Sequence, residues 1–182
     1  NATFSELRIP CQFKLNAQQE ALLGGIDLLL PFIILALTSL LPLIVHLKGG
    51  EVVLSPKRLS AILAVVSGGL FVFFLRYVPL INLGQTLSLS FNWVPDFGLR
   101  LGLAMDGLSL LFALLVTGIG TMVLVYASGY LAHDPDAARF LFYLLWFMLA
   151  MLGVVLAADI ISLFVFWELT SITSFLLIAH KT

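Results

Sequence analysis

Charge is what this sequence has least of. Charged residues make up 10% of its 182 positions and hydrophobic residues 61%. Soluble domains carry about 25% charged residues, so an ordinary soluble domain is excluded and an integral membrane protein is expected. No basic patch accumulates either. Nine Lys and Arg stand against ten Asp and Glu, for a formal net charge of −1. A nucleic-acid-binding footprint is therefore absent. Cysteine is reduced to Cys11 alone, which rules out an internal disulfide. His46, His133 and His180 lie too far from it, and from one another, to compose a zinc or haem site, so neither a metal nor a cofactor is expected.

What the chain does have is apolar length. Five stretches reach spanning size, at about 28–47, 59–81, 108–131, 140–157 and 160–179. Pro31 and Pro42 fall near the ends of the first. The fourth and fifth are joined by Ala158-Asp159 alone, so they must be antiparallel neighbours. Residues 1–25 are polar and mixed in charge and do not read as a signal peptide. Their status is open between a start inside a larger product and a loose extramembrane tail. The match of Asn1-Ala2-Thr3 to a glycosylation acceptor is a chance-level pattern.

One segment breaks the helical pattern. In Leu87-Ser88-Leu89-Ser90-Phe91-Asn92-Trp93 apolar and polar residues alternate strictly, Pro95-Asp96-Phe97-Gly98 supplies turn chemistry, and Leu99-Arg100-Leu101-Gly102-Leu103-Ala104 alternates again. This predicts a β-hairpin within 82–105. Open sheet edges are excluded from lipid, so the hairpin belongs on the membrane surface with one face on protein. Lys48, Lys57, Arg58, Arg139 and Lys181 fall at one end of the spans and only Arg76 and Arg100 at the other. The positive-inside rule then puts 48–58 and 132–139 in the cytoplasm and the hairpin outside. Arg8 and Lys14 in the tail weaken that count. The expected fold is an all-α membrane bundle with this hairpin, divided into 1–25, 26–81, 82–105 and 106–182.

Polar residues inside the spans are few enough to weigh singly. Glu168 stands in an otherwise uncharged run, about 12 Å from the helix start at 1.5 Å per residue. A carboxylate near mid-membrane is costly and by default marks an ion or proton pathway. The alternative is a structural carboxyl hydrogen-bonded within a bundle. Ser171 shares its face at i+3, and Thr170, Thr173 and Ser174 extend a hydroxyl stripe. Such a stripe favours burial against protein or a wet cavity. Asp106 and Asp159 open helices and read first as N-caps, with ion handling second for Asp106. Arg76 is placed to snorkel to the interface. His180 stands at the cytoplasmic end of the last span, either at a proton mouth or as a plain interfacial histidine. Ala113, Thr117, Gly118, Gly120 and Thr121 read as packing residues.

Several of these runs carry a resemblance. Asp106-Gly107-Leu108-Ser109-Leu110-Leu111-Phe112, Thr117-Gly118-Ile119-Gly120, Tyr130-Leu131-Ala132-His133-Asp134-Pro135, Phe147-Met148-Leu149-Ala150-Met151-Leu152-Gly153 and Phe166-Trp167-Glu168-Leu169-Thr170-Ser171 occur in order. They are similar to the N-terminal part of the antiporter-like membrane subunits. These include the A-type subunit of multisubunit Mrp-type monovalent cation/proton antiporters and the homologous L-type (chain 5) subunit of NADH-quinone oxidoreductase. Leu169-Thr170-Ser171 after the Trp-Glu pair resembles the Mrp branch, where the other branch usually has glycines. Two features depart from the pattern, the tail 1–25 and Ala179 in place of a more frequent glycine.

The resemblance implies a secondary transporter subunit of the cell membrane (inner or plasma), not a classical enzyme. It exchanges sodium or potassium for protons beside other hydrophobic subunits in the lipid bilayer. Glu168 would be the key carboxylate, coupled to a lysine on a later, broken helix. Asp106, Thr170, Ser171, Ser174 and His180 are secondary candidates. A proton-pumping subunit of a respiratory complex and a non-transporting scaffold are the alternatives.

Overall fold

The computed structural model describes residues 11–47, 55–94, 99–131, 134 and 136–179, with side chains over 25–47, 55–91, 100–131, 134 and 136–179. The first helix, α1 (Cys11–Leu47), begins in the polar segment and runs on through Pro31 and Pro42. Its membrane-length part is Gly25–Leu47. Then come α2 (Pro56–Leu75), a short α3 (Val78–Asn82), the strands β1 (Leu87–Val94) and β2 (Leu99–Met105), and the helices α4 (Gly107–Tyr130), α5 (Ala137–Leu156) and α6 (Ile160–Ile178). Pro56 opens α2 at a position where its missing N–H costs nothing. Together α2 and α3 form one span, Pro56–Asn82, broken at Arg76 and Tyr77. Among the described residues, five helical spans are thus long and apolar enough to cross a membrane.

The alternating segment folds as two antiparallel strands, with Leu87 opposite Met105 and Phe91 opposite Leu101. Its turn, 95–98, lies outside the described residues, as do His133, Pro135, His180 and Lys181.

Packing follows from small and hydroxyl residues. Helices α2 and α4 lie against each other, where Ser60 Oγ donates to the Leu124 carbonyl at 2.6 Å and Thr121 Oγ1 to Ser67 Oγ at 3.0 Å. Gly118 meets the Phe71 ring and Gly120 meets Met148. Helix α5 sits centrally between α1, α4 and α6, with Leu141, Leu145, Leu152 and Leu156 fully buried. Against it, Phe166 of α6 lies directly over Gly153 and stacks, tilted, on Phe32 of α1 with ring centroids 5.7 Å apart.

Candidate functional site

Helix α6 carries Glu168 near the middle of its length and is the least covered of the described spans. Only Ser162 and Thr173 of its 19 residues are buried, against eleven of the 20 in α5. Its inner face is made by Ser162, Phe166, Leu169 and Thr173, which turns Glu168 outward, and the Glu168 side chain is exposed. Among the described residues it has neither a hydrogen-bond nor an ion-pair partner. Beside it Trp167, Thr170, Ser171 and Ser174 line a cleft of about 330 Å³ with Phe147, Met151 and Val154 of α5. The spacing 167, 170, 171, 174 is one stripe of a 3.6-residue helix, and Glu168 flanks it through Ser171 at i+3.

The hydroxyls on that stripe are bound back to their own helix. Thr170 Oγ1 and Ser171 Oγ both donate to the Trp167 carbonyl, at 2.6 and 3.3 Å, and Ser174 Oγ donates to the Ser171 carbonyl at 2.9 Å. Their donors are spent, but each oxygen keeps acceptor capacity toward the cleft. The stripe can therefore receive a hydrogen bond from water or solvate a cation.

The structure gathers Thr170, Ser171 and Ser174 but leaves Asp106 apart, at the hairpin end of α4. There Asp106 Oδ1 accepts the Ser109 N–H at 2.8 Å. That bond to Ser109 holds the Asp106 carboxyl below its ordinary value. His180 lies outside the described residues.

Two polar connections between distant segments are not legible in the sequence. The first ties the hairpin to the start of α6. The Gly102 N–H donates to Ser162 Oγ at 2.8 Å, Ser162 Oγ donates to Asp159 Oδ2 at 3.1 Å, and Asp159 Oδ1 accepts the Ile161 and Ser162 N–H groups. The Ala158 N–H returns to the Gly102 carbonyl at 2.9 Å. Gly102 is required for this approach, because a Cβ there would lie 2.8 Å from Asp159 Oδ2 and 3.0 Å from Ala158 Cβ. The position of α6, and with it of Glu168, is thus registered against β2.

The second connection ties α1 to the end of α2. Tyr77 donates its hydroxyl proton to Asp27 Oδ2 at 2.6 Å, and Arg76 Nη2 stands 3.8 Å from the same oxygen. The Arg76 guanidinium also covers the Phe73 ring at 4.2 Å. Arg76 therefore has a carboxylate partner and an aromatic seat. The sequence signal was a lone acid and a lone base at the same end of two spans; which faces meet was not encoded locally.

This architecture resembles that of multi-pass, antiporter-like membrane subunits, as comparison with known proteins bears out. The family described as NADH-Ubiquinone oxidoreductase (complex I), chain 5 N-terminus, matches residues 91–141. The Na(+)/H(+) antiporter subunit A1 of Staphylococcus haemolyticus is 49% identical over 110 residues, covering 60% of this chain and 14% of that one. Its Staphylococcus aureus counterpart is 47% identical over the same length and coverage. The chain spans 14% of the length of these curated relatives. Among solved structures, that of the Mrp complex from Dietzia sp. matches with TM-score 0.68 and 31% identity over 85% of this chain and 16% of that one. The membrane-bound sulfane sulfur reductase, an archaeal respiratory membrane complex, matches with TM-score 0.57 and 26% identity over 83% of this chain and 22% of that one. The chain is accordingly similar to the N-terminal part of the A-type subunit of Mrp antiporters, with the complex I relationship that its motifs carry.

Proposed function

We propose that this chain is part of a monovalent cation/proton antiporter subunit in which Glu168 is the carboxylate of the ion or proton pathway. The observation that carries the reading is the place of Glu168: mid-helix, without a partner among the described residues, and outward on the least covered of the described spans. A carboxylate cannot face hydrocarbon there without a large cost, so this face is built for further protein or a water-lined cavity. The hydroxyl-lined cleft beside it is the natural continuation of such a path. The similarity to Na(+)/H(+) antiporter subunits supports sodium or potassium as the exchanged ion and neighbouring hydrophobic subunits as partners. The charge distribution supports an extracytoplasmic hairpin. A second reading, a proton-pumping subunit of a respiratory complex, is favoured by the match of residues 91–141 to the complex I chain 5 family.

The test is Glu168→Gln in the full-length, assembled protein. Gln keeps shape and hydrogen bonding but cannot ionise. We expect normal assembly and little exchange per complex. Exchange at the unaltered rate would overturn the carrier role and leave a structural carboxyl.

A further inference from the structure

At the end of the bundle opposite the hairpin, the last turns of α1 meet the first turns of α5. Leu43 and His46 from α1 and Arg139, Phe142 and Tyr143 from α5 line a cavity of about 290 Å³. Its lining is ordered by depth. His46 is adjacent to the end of the span Gly25–Leu47, and Arg139 lies within the first turn of Ala137–Leu156. The basic groups therefore stand at headgroup level. Leu43, Phe142 and the Tyr143 ring lie about one turn deeper, toward the hydrocarbon.

Arg139 is the informative residue. Its Nε donates to the Tyr143 hydroxyl at 3.2 Å, and its guanidinium sits 5.7 Å from the centre of that ring. Those contacts fix the side chain but leave its charge uncompensated. Among the described residues no carboxylate pairs with it; the described ion pair, Arg76 with Asp27, is at the other end of the bundle. Asp134 Oδ1 accepts the Asp136 N–H at 3.0 Å in the turn that precedes α5, the Asp136 side chain is exposed, and neither acid lines the cavity. An oriented, half-buried guanidinium with open Nη donors suits a bidentate oxyanion such as a phosphate.

We propose that this cavity binds the phosphodiester headgroup of an anionic phospholipid. Arg139 grips the phosphate, His46 supplies a further donor, and Tyr143 holds the guanidinium in place. Leu43 and Phe142 receive the first carbons of an acyl chain. The apolar floor at acyl depth favours a lipid over a free phosphate ion. Basic pockets between spans are a recurrent way of holding such headgroups. The bound lipid would bridge α1 and α5 where no direct hydrogen bond between their side chains is described.

The experiment is native mass spectrometry of the full-length, assembled protein, titrated separately with phosphatidylglycerol and phosphatidylcholine. Inorganic phosphate is then added as a competitor. We expect phosphatidylglycerol to be retained in preference, and its affinity to fall about fivefold in Arg139→Gln. Arg139→Lys should fall between the two, since it keeps charge but loses the fork. Arg58→Gln, exposed at the same end but outside the cavity, should leave binding unchanged. Equal retention of both lipids, unaltered affinity in Arg139→Gln, or an equal loss in Arg58→Gln would overturn the proposal. Displacement by inorganic phosphate would make it a free-anion site and overturn the lipid assignment. Lipid binding to the separated subunit but not to the assembled complex would show an acidic protein segment there instead. Should Arg139→Gln fail to assemble, Tyr143→Phe keeps the charge while releasing the guanidinium. It should weaken phosphatidylglycerol in the same direction, and unaltered binding would count against the site.

Discussion

At the scale of single residues, the two carboxylates at Glu168 and Asp106 differ in everything but charge. Glu168 projects from mid-helix without a partner among the described residues, whereas Asp106 is tied to the Ser109 N–H. The variants should separate accordingly. Glu168→Asp keeps ionisation but draws the carboxyl back by one methylene, so partial exchange activity is expected. Activity below that of Glu168→Gln would contradict a charge-cycling role. Asp106→Asn should be mild, because Asn caps a helix about as well as Asp, while Asp106→Ala should cost about 1 kcal/mol of stability. The sign of the pH effect follows from the lowered Asp106 carboxyl. Its stabilising contribution is complete above the ordinary value of 3.8 and is lost as pH falls through the lower folded value. Thermal melts of wild type and Asp106→Ala should therefore converge only in acid, and convergence at neutral pH would contradict the charged cap.

At the scale of elements, glycines report which contacts are tight. Gly102 lets β2 approach the turn before α6, and Gly153 lets α5 approach Phe166. Gly69 of α2 has nothing within 4 Å of an added Cβ. Gly102→Ala and Gly153→Ala should each destabilise the assembled protein by about 1–3 kcal/mol, since the Asp159 carboxylate and Ala158 Cβ in the first case, and the Phe166 ring in the second, must shift. Gly69→Ala should stabilise by about 0.5–1 kcal/mol, because glycine in a helix interior carries an entropic cost. Thermal denaturation of the three variants in one detergent decides this. A Gly102→Ala protein as stable as Gly69→Ala would mean that the hairpin is not fastened to α6. If it is fastened, Gly102→Ala should also lower exchange per assembled complex, because α6 carries Glu168.

At the scale of the whole molecule, five spans put the polar start of α1 and the end of α6 on opposite faces. The positive-inside rule predicts the loop at Asp136 in the cytoplasm and the segment before β1 outside. In a Cys11→Ser background, Gln85→Cys should react with an impermeant thiol reagent added to intact cells and Asp136→Cys should not. Both positions are exposed, so a silent site means a shielded side rather than a buried thiol. Labelling at Asp136→Cys from outside would invert the topology.

Much of this protein was written locally. Spans emerge from runs of apolar residues because a helix satisfies its own backbone where lipid cannot. The hairpin followed from period-two alternation around Pro95 and Gly98, and the caps at Asp106 and Asp159 from short polar side chains at helix starts. Glu168 stood out because an isolated carboxylate in an apolar run has few cheap explanations. The meetings between distant segments were decided only by the tertiary structure. Asp27 finds Arg76 and Tyr77, Gly102 finds Ser162, and His46 comes to share a cavity with Arg139. The physical reason is that these spans are apolar nearly all round, so sequence periodicity does not say which face of a helix meets which neighbour. Small residues such as Gly153 and Gly120 mark where close approach is possible, but the packing of whole helices selects the partner.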